Sequence, residues 1–231
     1  VLAIRERVLG GDHAHTLASR NNLANAHRSA GQPAKAIELH QQVLAIRERV
    51  LPADHLDTLM SRNNLATAYL ETGQLAEAIE LFEVVLAHRE QVLGADHPET
   101  LAARSNLLAA RSGAGESATV IEPIAALIRD RERVLGADHP DTLTSRHNLA
   151  TAYLQSGQAA IGIEVFEAVI ADRARVLGAD HPDTFDSRKH LALAYAELHG
   201  PDKAVGLFEQ IVADRERVFG ADHPDTVLSR R

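Results

Sequence analysis

Six Asp-His pairs are the residues of this chain whose types could do chemistry. They recur every 42 residues, at Asp12-His13, Asp54-His55, Asp96-His97, Asp138-His139, Asp180-His181 and Asp222-His223. Carboxylate and imidazole groups are common ligands of Zn²⁺, and together they also activate the nucleophile of serine hydrolases. The pairs therefore raise two chemical hypotheses, a metal site and a Ser-His-Asp hydrolase.

The spacing of the pairs argues against both hypotheses. A strict period of about 20 to 50 residues marks an array in which one supersecondary unit is stacked repeatedly. Neighbouring helices in such an array lie about 10 Å apart, whereas a metal–ligand bond measures about 2 Å. The chain also contains no Gly-x-Ser-x-Gly nucleophile elbow. We therefore expect no metal site, no cofactor and no enzyme activity, and we interpret the pairs as starts of helices.

Residues 54-95 show how one repeat is built, beginning with a helix that we name helix A. Asp54 is a good N-cap residue, and Asp57 places a carboxylate in the first turn, where the helix dipole favours negative charge. An apolar stripe that includes Tyr69 continues to Gly73, where the helix is predicted to end. Other repeats place proline in the same first turn, at Pro98, Pro140, Pro182 and Pro224.

A second helix, named helix B, is predicted to begin at Leu75. Its apolar stripe includes Ala78 and Phe82, and it is predicted to end at Gly94 in a left-handed C-cap. Glycine stands in the same place in other repeats, at Gly10, Gly136, Gly178 and Gly220. Each repeat is therefore predicted to be an antiparallel helix pair.

The run Asn-Asn-Leu-Ala-x2-Tyr-x3-Gly-x4-Ala-x3-Phe at residues 63-82 resembles the signature of the tetratricopeptide repeat. The 42-residue period and the Asp-His-Pro junction are similar to those of the kinesin light chain subtype, and long repeats of this kind also occur in bacterial signalling proteins. The proline that usually closes helix B is replaced, for example by Glu90, so helix B is expected to run longer. The resemblance implies an all-α fold, a right-handed α-solenoid of stacked antiparallel helix pairs.

The resemblance covers the whole chain as one array, 1-231. Residues 1-11 match the end of a preceding helix B, and residues 222-231 match the start of a further helix A. Five full repeats lie between them, at 12-53, 54-95, 96-137, 138-179 and 180-221. Natural arrays usually close with polar capping helices, and neither end shows one. We expect either a segment of a longer protein or open ends that stack on other molecules.

The composition limits the classes of partner. A net charge of −8 gives no bulk attraction to nucleic acid or to anionic membranes. No stretch approaches the length of about 18 apolar residues that a membrane span requires. The absence of cysteine excludes disulfides and thiolate metal sites and fits a reducing compartment. The sequence predicts a soluble cytoplasmic protein with a protein or peptide partner.

A column of arginines shares the 42-residue step, and we treat it as a structural ladder: Arg20, Arg62, Arg104, Arg146, Arg188 and Arg230. The column could bind an acidic partner, or it could pair with carboxylates of neighbouring helices such as Glu48, Glu90 and Glu132. We favour pairing, because an unpaired half-buried guanidinium is costly.

A column of polar residues on helix A is the candidate peptide-binding surface. By resemblance it faces the concave groove, where an Asn amide can both donate to and accept from a peptide backbone. Bridging between helices within the stack is the alternative use of these amides. In the fifth repeat the Asn pair becomes Lys189-His190, which predicts a more basic pocket there. The candidate residues are Asn21, Asn22, Asn25, Asn63, Asn64, Thr67, Asn106, Asn148, Thr151, Lys189 and His190.

The third repeat is irregular. Pro123 falls about two turns into helix B, where it removes a hydrogen bond and is expected to kink or shorten the helix. Gly113 and Gly115 are expected to loosen the preceding turn. Two interpretations remain open, drift tolerated by repacking and a hinge in the array.

Three functions are consistent with these observations. The first is a protein-interaction scaffold that binds a partner's peptide in the groove lined by helix A. The second is a sensor or regulatory segment of a larger multidomain switch protein. The third is head-to-tail self-association through the uncapped ends.

Overall fold

A computed structural model describes residues 1–223 and 226–227, and within these ranges the chain is helical without any strand. Its backbone forms two compact units, Val1–Ala114 and Gly115–Arg231. Within each unit consecutive helices pack against each other in pairs. The described residues therefore form the all-α helix-pair array that the sequence predicts.

The first unit contains six α-helices, which are α1 (Leu2–Leu9), α2 (Ala14–Ser29), α3 (Pro33–Val50), α4 (Leu56–Glu71), α5 (Leu75–Leu93) and α6 (Pro98–Arg111). The end of helix A before Gly73 and the start of helix B at Leu75 are confirmed. The core between α4, α5 and α6 is built around the fully buried Phe82, which packs among alanines and Leu107. Small residues against one large ring allow the close helix packing that the composition requires.

Up to Phe219, the second unit contains five α-helices, which are α7 (Ser117–Leu135), α8 (Pro140–Gln155), α9 (Ala159–Val176), α10 (Pro182–His199) and α11 (Pro201–Phe219). Its core repeats the arrangement of the first unit, with buried Phe166 packed among Ala150, Ile163 and Leu191. The further helix A predicted for 222-231 lies largely outside the described residues, and Pro224 and Arg230 are among those not described.

The N-cap of each helix A is the histidine of the Asp-His pair, so the prediction of Asp54 as N-cap was wrong. His55 has an extended backbone with φ −63° and ψ 134°, and its imidazole accepts a hydrogen bond from the Asp57 N–H. The distance from Asp57 N to His55 Nδ1 is 3.1 Å. The ring nitrogen thus accepts the backbone hydrogen bond that a side-chain oxygen accepts in most N-caps. The same cap is formed by His13, His97, His139 and His181.

The glycine after helix B has a positive φ but not the left-handed α-conformation that the sequence predicted. Gly94 has φ 87° and ψ 162°. This region is accessible essentially to glycine alone, because a Cβ atom would clash with the backbone. It turns the chain sharply from helix B towards the next Asp-His pair.

The helix length and the preceding turn are the two features of the third repeat that the structure tests. The helix α7 continues through Pro123 and spans 19 residues, as α5 does, so the expected shortening was wrong. Proline removes only one hydrogen bond there, and the rest of the helix remains bonded. Residues Ser112–Glu116 instead form a π-turn with Gly115 at φ 91°. The predicted hinge therefore concerns this turn.

Candidate functional site

Three aspartates of the Asp-His pairs form exposed ion pairs with arginines 37 residues later in the same repeat. Arg49 lies 2.6 Å from Asp12, Arg175 lies 2.6 Å from Asp138, and Arg217 lies 2.8 Å from Asp180. The hydrogen bond from Arg175 holds the pKa of Asp138 below its usual value. These contacts connect the start of helix A with the end of helix B of the same repeat, so the pairs have structural partners and a capping role.

Arg20, Arg62, Arg104 and Arg146 of the structural ladder lie beside carboxylates of the preceding helix, whereas Arg188 pairs with the following helix B. Arg62 donates to Glu48 at 2.8 Å, Arg104 to Glu90 at 3.2 Å, and Arg146 to Glu132 at 2.7 Å. Arg20 donates to Glu6 at 2.8 Å and Arg188 to Asp214 at 2.8 Å. Glu48, Glu90 and Glu132 are the carboxylates that the pairing interpretation named.

A second arginine column is more deeply buried, and the sequence analysis missed it. Arg47 is only 3% exposed, and its Nη1 donates to the Asp57 carbonyl at 2.7 Å and to Ser61 Oγ at 2.7 Å. Arg131 and Arg173 make the corresponding two bonds in the second unit. Each buried guanidinium therefore joins one helix B to the helix A of the next repeat.

Burial is the main cause of the pKa shifts of these arginines. It lowers the pKa of the Arg47, Arg131 and Arg173 guanidinium groups, and the nearby aspartates oppose that shift. The signal in the sequence was a second 42-residue column, matched by serines 14 residues later at Ser19, Ser61, Ser145 and Ser187. We call this set of contacts the buried arginine column.

The candidate peptide-binding asparagines bridge successive helices A within the first unit. Asn64 Nδ2 donates to Asn21 Oδ1 at 2.8 Å, and Asn106 Nδ2 donates to Asn63 Oδ1 at 3.2 Å. All four side chains are half-buried. Bridging between helices is the second of the two uses that the sequence allowed for these amides. Each bridging donor uses one of its two N–H groups in this contact.

The other candidate residues occupy positions around these bridges. Asn22 is exposed in an open groove lined by Arg5, Ser19 and Leu23. The hydroxyls of Thr67 and Thr151 donate to the carbonyls of Asn63 and His147 in their own helices. Asn25 and Asn148 are half-buried.

In the fifth repeat, the predicted basic residues surround a carboxylate. Lys189 Nζ lies 3.5 Å and His190 Nδ1 lies 3.7 Å from Asp186 Oδ1. His147, which the sequence analysis did not name, lies on the other side, with its Nε2 3.6 Å from Asp186 Oδ2. The two imidazole rings are 4.9 Å apart between centroids. The basic character predicted for this pocket is thus partly neutralised by Asp186.

His147 is the most perturbed titrating group of this cluster. It is 8% exposed, and burial, with the adjacent His190 and Arg173, lowers its pKa far below the ordinary value of 6.5. The neutral imidazole is therefore the form present at neutral pH. His147, Asp186 and His190 are also a group of side chains whose ligand atoms are close enough to hold a metal ion.

The helix pairs, the 42-residue register and the polar bridges between successive repeats define a helical-repeat protein. The tetratricopeptide repeat family matches residues 16–57, 58–99, 142–183 and 184–225. The chain belongs to this family, with the long repeat of the kinesin light chain type. The matched segments leave out residues 100–141, which contain the π-turn.

Solved structures with the same fold support this assignment. A Podosopora anserina putative kinesin light chain with nearly identical repeats has 34% sequence identity and a TM-score of 0.68. The match covers 90% of this chain and 98% of that one. BtubC from P. vanneervenii has 17% identity and a TM-score of 0.67, over 91% of this chain and 83% of that one.

A third structure is a Rap protein complexed with Competence and Sporulation Factor. It has 9% identity and a TM-score of 0.71, and the match covers 90% of this chain and 61% of that one. No curated protein sequence matches the chain. Among the described residues, no helix combines the length and the apolar character that crossing a bilayer would need.

Proposed function

We propose that this array is a protein-interaction scaffold that binds an extended or short helical peptide of a partner along the surface of its helices A. The observation that carries the proposal is the Asn bridge between successive helices A. The bridge holds amide groups at a fixed register, and each bridging donor keeps a second N–H.

The family supports the interaction role of this array. The Rap protein of the same fold is complexed with Competence and Sporulation Factor. At 9% identity that likeness concerns the fold alone, so the ligand of this chain must be recognised by its own side chains. A peptide backbone fits a series of half-buried amides, because each amide can donate and accept.

The proposal is tested with peptides selected from a random library on the purified array. Their affinity is then measured by fluorescence anisotropy for the wild type, Asn64→Ala and Asn148→Ala. Each lost amide contact is expected to weaken binding about 2- to 10-fold, corresponding to about 0.5–1.5 kcal/mol. Circular dichroism shows whether each variant keeps its helix content.

Glu80→Gln is the matched control, because Glu80 is exposed on α5, a helix B. Its affinity is expected to equal that of the wild type. If folded Asn64→Ala and Asn148→Ala variants bind every selected peptide as the wild type does, the helix A surface is not the binding site and the proposal fails.

A further inference from the structure

We propose that His147, Asp186 and His190 form a binding site for a divalent transition metal, with Zn²⁺ as the best-fitting ion. The site joins two successive helices A, because His147 lies on α8 and the other two residues lie on α10. Two imidazoles and one carboxylate are a common zinc ligand set, in which a water molecule takes the fourth position.

The distances suit a small ion. The ligand atoms of the three residues all lie within 4.8 Å of one another, and the Asp186 carboxylate is 3.6 Å from His147 Nε2. Bonds of about 2.0–2.2 Å in a tetrahedral site place ligand atoms about 3.3–3.6 Å apart. The remaining closure is within reach of side-chain rotation.

The hydrogen bonds of the rings leave one nitrogen of each imidazole available to a metal. His190 Nδ1 lies 2.9 Å from the Asp186 carbonyl, to which it can only donate. His147 Nδ1 lies 3.0 Å from Ser187 Oγ; this oxygen accepts from Arg173 at 2.6 Å and has a second lone pair that can accept from Nδ1 when a metal occupies Nε2. With the protons on Nδ1, both Nε2 atoms present a lone pair. Such a bond at the second ring nitrogen is the usual way in which a metal-binding histidine is oriented.

The repeat register shows that three residues change together at this place. Histidine stands at 147 where the first and second repeats have Asn21 and Asn63, and at 190 where the other repeats have asparagine. The pair of positions is the one that forms the Asn64–Asn21 bridge in the first unit. Position 186 becomes aspartate, whereas the equivalent residues are Ala18, Met60, Ala102 and Thr144. Two histidines thus replace the residues of one amide bridge, and an aspartate beside them adds a third side chain of a type that binds metal ions.

The site formed by His147, Asp186 and His190 is buried on one side and open to solvent on the other. His147 packs edge-on against buried Phe166 with ring centroids 5.4 Å apart, and 46% of the Asp186 side chain is exposed. The open side gives an ion and its water access to the site. Arg173 and Lys189 are the nearby cations. Arg173 is held by the Asp183 carbonyl and Ser187, while exposed Lys189 can swing into solvent when a metal replaces it at Asp186.

The test uses the full chain without a histidine tag. Zn²⁺ binding is measured by calorimetry, and Co²⁺ serves as a spectroscopic substitute because its visible spectrum reports four-coordinate geometry. The wild type is expected to bind one ion per chain at this site and to give that spectrum. The variant His147→Asn/His190→Asn, which restores the residues of the amide bridge, is expected to bind at least about 100-fold more weakly, since loss of supporting groups alone costs about 10- to 100-fold.

Two further variants make the result specific. Asp186→Thr places the residue of the preceding repeat at this position and is expected to weaken binding while the histidine pair remains. His88→Asn is the matched control, because His88 Nδ1 also bonds to a carbonyl of its own helix, that of Val84 at 2.8 Å, yet His88 belongs to no cluster of three ligands among the described residues. Its affinity is expected to stay unchanged.

The chain has 13 histidines, so weak binding elsewhere is the competing explanation. The proposal is overturned if the wild type gives no one-to-one binding and no four-coordinate Co²⁺ spectrum. It is equally overturned if a folded His147→Asn/His190→Asn variant binds Zn²⁺ as the wild type does. Peptide binding by the same variant is a separate measurement and decides nothing about the metal.

Discussion

His40 is a histidine in a position built for an aromatic hydrocarbon ring, and its replacement by phenylalanine is expected to stabilise the protein. The residue is 1% exposed, and neither ring nitrogen has a hydrogen-bond partner among the described residues. The equivalent residue of the next repeat is Phe82. Phe82 packs against Ala66, Ala78, Leu107 and Ala110, and the residues at those positions one repeat earlier are buried Ala24, Ala36, Leu65 and Ala68.

The magnitude follows from two contributions. A buried polar group without a partner costs about 1–3 kcal/mol, and His40→Phe removes that cost at neutral pH. The second contribution depends on pH, because burial, assisted by nearby Arg28, lowers the pKa of His40 from 6.5 to about 4. Between pH 6.5 and about 4, His40 is therefore protonated in the unfolded chain but neutral in the folded chain.

The difference between the folded and the unfolded pKa of His40 sets the direction in which stability changes with pH. The stability that depends on neutral His40 is complete above the unfolded pKa of 6.5 and is lost as the pH falls towards about 4. At pH 5, about 1.5 pH units below the unfolded value, the loss is about 2 kcal/mol. The advantage of His40→Phe over the wild type should therefore grow from about 1–3 kcal/mol at pH 7.5 to about 3–5 kcal/mol at pH 5.

Urea unfolding followed by helical circular dichroism at the two pH values measures both contributions. The other titrating groups cancel in the difference between variant and wild type. Phe82→His is the reciprocal control and should lose stability, more at pH 5 than at pH 7.5. The reasoning is refuted if His40→Phe is no more stable than the wild type at pH 7.5 and the difference does not change at pH 5.

Three further predictions concern other parts of the array. Ala103 is buried where other repeats have the serine that accepts from the buried arginine column. Ala103→Ser should therefore give Arg89 a second acceptor beside the Glu99 carbonyl and add about 0.5–1.5 kcal/mol, while Ser145→Ala should remove a similar amount. Equal urea midpoints for both variants and the wild type would contradict this. His139→Ala removes an N-cap and should lower the free energy of unfolding by about 0.5–2 kcal/mol. Asp138→Ala removes an exposed ion pair and should lower it by less, with an effect that fades in high salt. A larger loss for Asp138→Ala than for His139→Ala would show that the cap assignment is wrong. Hydrogen exchange should be faster across residues 111–124 than across residues 69–82, since residues 113–116 are all exposed and Gly113 adds a second glycine where the second repeat has Glu71; equal protection would rule out a hinge there.

The helix pairs could be predicted from the sequence because their signals are local and repeated. Gly73 and Leu75 mark a break that occurs at the same place in the register of every regular repeat. The cap was assigned to the wrong member of the Asp-His pair for a reason that is also local. Aspartate is a far commoner N-cap than histidine, and only the backbone conformation of His55 shows which residue begins the helix.

The polar contacts between helices could not be assigned from the sequence alone. Arg47 looks like a surface residue of an amphipathic helix, and its burial depends on a carbonyl and a serine of the next repeat. The cluster of His147, Asp186 and His190 depends on a neighbour 43 positions away, one residue out of step with the 42-residue register. A comparison of columns at equal register does not reveal a contact between adjacent columns.

The buried arginine column also decides where such an array can be divided. Because Arg47 belongs to one repeat and its acceptors at Asp57 and Ser61 belong to the next, a chain cut at the Asp-His junction removes both acceptors and exposes a guanidinium that was packed between two helices. A cut in the turn at Gly73 separates no such pair in the neighbouring helices. The module that can be exchanged, duplicated or grafted as an intact folding unit is therefore helix B with the following helix A, half a repeat out of phase with the sequence motif.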